Sequence, residues 1–117
     1  MSELYKRMQP FLGDERRLIE RMAGQLDLWE ECVWLFPKYE IVEEMDAAAE
    51  GQSEQELYAS VHRLKGNLAN FGFDSAAEKA MGVLQALREK NFLLAKEHYR
   101  ALREEYIQII ERIGEAE

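Results

Sequence analysis

Scarcity shapes the first reading of this 117-residue chain. It holds one cysteine, two prolines and seven glycines, and its 15 Lys and Arg are outnumbered by 23 Asp and Glu. The single thiol, Cys32, cannot form an internal disulfide, which fits a reducing, cytoplasmic setting. No apolar run approaches the ~18 residues of a spanning helix. The opening MSELYKRMQPFLGDE lacks the apolar stretch of a secretory signal, and its initial Met leans toward a complete protein over an excised piece. A formal net charge of −8 argues against nucleic acid or an anionic membrane as the main partner, since both are gripped by concentrated Lys and Arg. The length suits one domain.

Chemical motifs are missing too. There is no His-x-x-x-His pair, no Cys/His cluster, no phosphate-cradling glycine loop and no Gly-x-Ser-x-Gly elbow. The di-iron bundle pattern needs Glu-x-x-His, but Ala59 and Ala95 stand three residues before His62 and His98. Adjacent carboxylates such as Glu30-Glu31 and Glu104-Glu105 point in different directions along a helix and make no acid–base pair. Neither a bound metal nor autonomous catalysis is expected.

What is present favours helix. Ala, Leu, Glu, Lys and Arg are abundant, breakers are few, and no segment alternates apolar with polar residues. A first helix runs from about Asp14 to Ala23, with Leu18 and Met22 on one face. The pattern of residues 1–12 does not choose between a short helix and a frayed end. A second helix opens with Asp27 as N-cap paired to Glu30. Its stripe is Leu28, Cys32, Leu35, Tyr39, Val42, Met45 and Ala49, with a kink or break near Pro37 and a stop at Gly51.

The third helix opens with the capping box Ser53-x-x-Glu56 and buries Leu57, Val61, Leu64, Leu68 and Phe71 before Gly72 ends it. A second box, Ser75 and Glu78, opens the fourth, which buries Phe73, Ala77, Ala80, Leu84 and Leu87. The fifth runs from about Phe92 to Ile113 and buries Ala95, Tyr99, Leu102, Tyr106, Ile109 and Ile113. Only Glu89-Lys90-Asn91 links the last two, which makes them antiparallel neighbours.

The expected fold is therefore all-α: an antiparallel up-down four-helix bundle with an additional N-terminal helix. Residues 1–25 form the N-terminal segment packing on the bundle, and residues 26–117 form the bundle. Residues 1–50 hold 12 of the 23 acidic and 6 of the 15 basic side chains, so a basic partner would more naturally meet the first half. Trp29, Trp34, Phe36, Tyr58 and Phe92 cannot share one seam, and packing is their default role. Trp29, Tyr58 and Phe92 are the ones placed to border the third helix's outer stripe. His98 reads as a solvated surface residue.

One stretch carries chemistry: Val61-His62-Arg63-Leu64-Lys65-Gly66-Asn67-Leu68. On a helical wheel His62 falls about 140° from the centre of the apolar stripe, Lys65 about 80° and Gly66 about 180°. His62 thus projects toward solvent, with Lys65 and Gly66 one turn along. A helical glycine costs ~1 kcal/mol relative to Ala, and an exposed position offers no packing reason to accept it. A neutral imidazole is a nucleophile near pH 7, and Lys65 could set positive charge beside phosphoryl oxygens received on its outer nitrogen. Gly66 would leave room for a second protein's active site.

His62-Arg63-Leu64-Lys65-Gly66, followed by Gly72, resembles the H-x-L-K-G-(x)5-G signature of histidine-containing phosphotransfer (HPt) domains. The resemblance spans roughly Leu26 to Ile113, including the Phe36-Pro37 break and the helix from Phe73 to Leu87. It implies a phosphoryl relay of two-component signalling, with His62 as phosphoacceptor, Lys65 as stabilising cation, Gly66 as clearance and Gly72 at the following turn. It implies receiver domains and histidine kinases as partners. The chain would act as a monomer without a cofactor of its own, Mg²⁺ being held by the partner receiver. Ala59, Arg63, Gly66, Ala69 and Asn70 would form the docking rim around His62. Two departures stand out: Asn67 where Ser or Ala is frequent, and Leu84, with Gln85 beside it, where some members place a polar contact to the histidine ring. The competing reading is a helical adaptor that binds receiver or kinase domains without accepting phosphate.

Overall fold

A computed structural model describes residues 2–116, and every regular element among them is helical. The first helix, α1 (Glu3–Met8), starts where the Ser2 hydroxyl accepts the Tyr5 N–H at 3.1 Å. A 3₁₀ turn, Gln9–Phe11, follows with Pro10 in its first turn. Residues 3–11 are thus helical, and Leu4, Tyr5, Met8 and Phe11 are buried. The Asp14 carboxylate accepts the N–H groups of Arg16 and Arg17 to begin α2 (Glu15–Arg21). Beyond lie α3 (Leu26–Trp34), α4 (Tyr39–Glu50), α5 (Glu54–Asn70), α6 (Asp74–Arg88) and α7 (Phe92–Ala116).

The expected second helix is two helices, α3 and α4, separated by residues 35–38. Each then chooses its own buried face. In α4, Val42, Met45 and Ala49 are buried as expected, but Leu28 (45% exposed), Leu35 (82%) and Tyr39 (50%) are not. In and just after α3 the core takes Trp29, Val33 and Phe36 instead, one position on from the expected register. Trp29 offers more apolar surface than Leu28, and a break at Pro37 removes the constraint of continuing one stripe. Asp27 lies inside the first turn of α3, not at its N-cap, which is Gln25. The carbonyls stranded by the break find side chains. Lys38 Nζ donates to Trp34 O (2.7 Å) and Phe36 O (3.1 Å), and the Tyr106 hydroxyl donates to Pro37 O.

The turns after α4, α5 and α6 share one device. The N–H two residues past each C-cap reaches back to the third-last helical carbonyl: Ser53 to Ala48, Phe73 to Leu68, and Asn91 to Ala86. The intervening residue is left-handed, with φ +54° at Gln52, +85° at Gly72 and +59° at Lys90. Gly51 is therefore the C-cap of α4 and not its left-handed residue. The same geometry brings the chain into α6 at Asp74, so Ser75 sits past the cap and donates its hydroxyl to Glu105 at 2.9 Å. No Ser75 capping box forms.

Packing joins α4 to α5, α5 to α6 and α6 to α7, while α7 also touches α4 and α1. The expected core positions of α5, α6 and α7 are buried, except that Phe71 is only half-buried. On the α4–α7 seam the Tyr99 hydroxyl donates to Asp46, which also takes the Arg103 Nε–H at 2.9 Å. Burial, then the Asp46 carboxylate, pushes the Tyr99 phenol well above its ordinary pKa; burial does the same to Tyr106. An aromatic cluster ties the N-terminal helices to the α5–α6 turn. Tyr5 meets Trp29 edge-on at 5.2 Å, Trp29 stacks on Phe73 at 6.3 Å, and Trp29 Nε1 donates to Phe71 O at 2.8 Å.

Candidate functional site

The Ser53 hydroxyl accepts the Glu56 N–H at 3.4 Å and starts α5, while the Ser53 N–H is spent on Ala48 O. From there the helix divides cleanly. Leu57, Val61, Leu64 and Leu68 are each 0% exposed, and Ser60 is buried with them. Across the helix His62 is exposed, as are Ala59, Arg63 and Asn70. The imidazole makes no hydrogen bond among the described residues. Instead it lies almost parallel to the Tyr58 ring, with centroids 6.0 Å apart and planes inclined by 15°. Tyr58 is held in turn by Arg88 of α6, whose Nη2 and Nε donate to the phenol oxygen at 2.7 and 3.2 Å.

Lys65, one turn on from His62, is half-exposed and enters no ion pair among the described residues. Gly66 has open space beside it: nothing stands within 4 Å of where a Cβ would be. The helix therefore gains no packing from the glycine it carries there. Gly72, in its left-handed conformation, has the Leu18 side chain 3.1 Å from a would-be Cβ and offers its carbonyl to the Gly13 N–H at 2.9 Å. The N-terminal segment thus seats on the far end of α5, roughly 12 Å along the axis from His62, and does not cover the ring.

The expected rim is less uniform than its spacing suggests. Arg63 is paired with Glu44 of α4 at 2.6 Å, and Ala69 is half-buried with its carbonyl accepting from Arg21. Ala59, Gly66 and Asn70 carry no such tie among the described residues. On α6, Leu84 is buried and the Gln85 amide donates to Glu89 at 3.1 Å, so neither reaches the histidine. Tyr58 is the aromatic that borders His62, while Trp29 is in the core and Phe92 packs against it. Arg88 is the site neighbour that sequence spacing missed, because its contact depends on how α6 lies against α5. His98 is half-buried, its imidazole lying over Gly82. Among the described residues no three His, Cys, Asp or Glu side chains are grouped to hold a metal, and no helix is long and apolar enough to cross a membrane.

A family model described as the Hpt domain matches residues 39–112, well over half of the 117. No curated protein and no solved structure matches the chain significantly. The match covers α4 to α6 and most of α7, and contains His62, Lys65, Gly66 and Gly72. The chain therefore belongs to the Hpt domain family, the phosphotransfer carriers of two-component signalling.

Proposed function

We propose that this protein is a phosphorelay intermediate, with His62 as the residue that accepts a phosphoryl group and Lys65 as the cation beside it. The donor is a histidine kinase or a phosphorylated receiver domain, and the acceptor is a receiver aspartate. In the receiver-to-histidine direction the outer nitrogen of the neutral His62 ring, Nε2, attacks phosphorus. The N–P bond forms as the P–O bond to the aspartyl carboxylate breaks. The electron pair stays on that carboxylate, and the ring keeps its Nδ1 hydrogen and carries the resulting positive charge. Return to an aspartate reverses each change. Catalysis of this kind is mostly positioning and charge stabilisation, so the partner supplies Mg²⁺ and its ligands. Lys65 contributes an ammonium near the new phosphoryl oxygens.

The observation that carries this reading is the surface around His62, uncommitted among the described residues: an exposed ring, an ammonium one turn on with no ion pair there, and open space at Gly66. Ala59, Arg63, Gly66, Ala69 and Asn70 are the docking rim in this reading, with Arg63 and Ala69 the two already engaged within the chain. We take α4 to α7 as an antiparallel up-down bundle within residues 26–117, and residues 1–25 as a segment clamped to it through Tyr5 and Leu18. The protein acts as a monomer in the cytoplasm. Incubation with phosphorylated receiver domains is expected to give an acid-labile, base-stable label on the wild-type chain and none on His62→Gln. Wild-type labelling of His62→Gln overturns the proposal, and tight binding without label in the wild type supports the adaptor reading instead.

A further inference from the structure

We infer that Tyr58 is a positioning residue for His62: its ring is the platform that aims the imidazole, and Arg88 holds the platform. The inference rests on His62 being the phosphoacceptor and adds how that ring is kept in place. An exposed histidine with no hydrogen bond is free to sample several rotamers, and only some of them present Nε2 to an incoming phosphorus atom. Reactive geometry is then rare unless something restrains the ring. Among the described residues Tyr58 provides the only ring stacked on it. It sits four residues earlier on α5, where side chains are neighbours, and the 6.0 Å separation lies within the range of offset-stacked aromatic pairs.

Tyr58 could not do this if it moved with the imidazole. Two N–H groups of one guanidinium fix its phenol oxygen, and the same guanidinium carbon lies 5.5 Å from the ring centroid. Arg88 belongs to α6, so the platform is anchored to a different helix from the one that carries it. Phosphorylation tightens the arrangement. An N-phosphorylated ring that retains its other hydrogen bears positive charge, and a cationic ring is drawn to the electron-rich face of a phenol. Leu84 is buried and the Gln85 amide is spent on Glu89, so neither supplies His62 with a polar contact.

The test compares Tyr58→Leu, Tyr58→Phe and Arg88→Ala in the full chain, using the receiver domain that labels the wild type. In Tyr58→Leu the saturating transfer rate is expected to fall by a factor of about 2–10, the span an aromatic pair's energy corresponds to. The receiver concentration giving half that rate should be unchanged. Tyr58→Phe, which keeps the ring, should retain most of the rate, and Arg88→Ala should fall between them. NMR of the unphosphorylated protein supplies a readout independent of transfer: the His62 ring protons lose their ring-current shift in Tyr58→Leu and keep it in Tyr58→Phe. The inference is overturned if Tyr58→Leu changes only the half-saturating concentration, if Tyr58→Phe is as slow as Tyr58→Leu, or if the His62 shifts ignore both variants. Should the wild type accept no phosphate while the ring-current shift is present, the phosphoacceptor reading fails and the stacking geometry stands.

Discussion

His62 and His98 are the two histidines of this chain, and each lies by a glycine inside a helix. The resemblance ends there. A Cβ on Gly82 would fall 2.9 Å from His98 Nδ1 and 3.1 Å from its Cγ, so α6 carries glycine where the α7 imidazole crosses it. A Cβ on Gly66 would meet nothing. Both glycines weaken their helices by about 1 kcal/mol relative to Ala. One of them is explained by a neighbour within the fold; the other has none within 4 Å among the described residues, which is what a clearance role for Gly66 would need. Glycine in a helix points to function only after packing has been ruled out, and coordinates rule it out for Gly66 alone of this pair.

Substitutions can break that contrast. The largest expected effect is in labelling: His62→Gln loses its phosphoryl label entirely, whereas His98→Gln keeps it, as scintillation counting after base treatment would show. Next comes stability. Gly82→Leu must displace the His98 ring and should lower unfolding free energy by ~1–3 kcal/mol, the usual cost of overpacking. Gly66→Ala should raise it by ~0.5–1 kcal/mol through helix propensity. Urea titrations of the two variants that shift in the same direction would erase the distinction. Lys65→Ala sharpens it further, because an uncommitted ammonium contributes little to folding. Stability should stay within ~0.5 kcal/mol of wild type, while transfer slows or the phosphohistidine decays sooner. An unchanged rate and lifetime would remove Lys65 from the site.

The helix that matters most was also the most legible. Four apolar residues at helical spacing, a Ser cap and the turn at Gly72 placed α5, and the same wheel put His62 outside. The stripes of α6 and α7 were legible for the same reason: each helix is long and its period uninterrupted. Where a break intervened, periodicity misled. The stripe drawn through Leu28, Leu35 and Tyr39 assumed one helix, and residues 35–38 decouple two. Ser75 matched a capping box, yet the left-handed Gly72 and the Phe73-to-Leu68 bond delivered the chain into α6 two residues too early for it, with Phe73 and not Ser75 as N-cap. Tertiary ties were the least accessible. That Tyr58 borders His62 follows from spacing of four, but that Arg88 grips Tyr58 depends on the setting of α6 against α5, which no local pattern encodes.

The direct test of whether the gap at Gly66 serves an incoming macromolecule is the phosphorylation rate of Gly66→Gln with two donors of different size. Potassium phosphoramidate is small enough to reach His62 past a glutamine side chain, whereas a phosphorylated receiver domain must bring its own surface against α5. The account predicts a wild-type rate with phosphoramidate and a markedly slower one with the receiver domain. Equal rates for variant and wild type with both donors would contradict it.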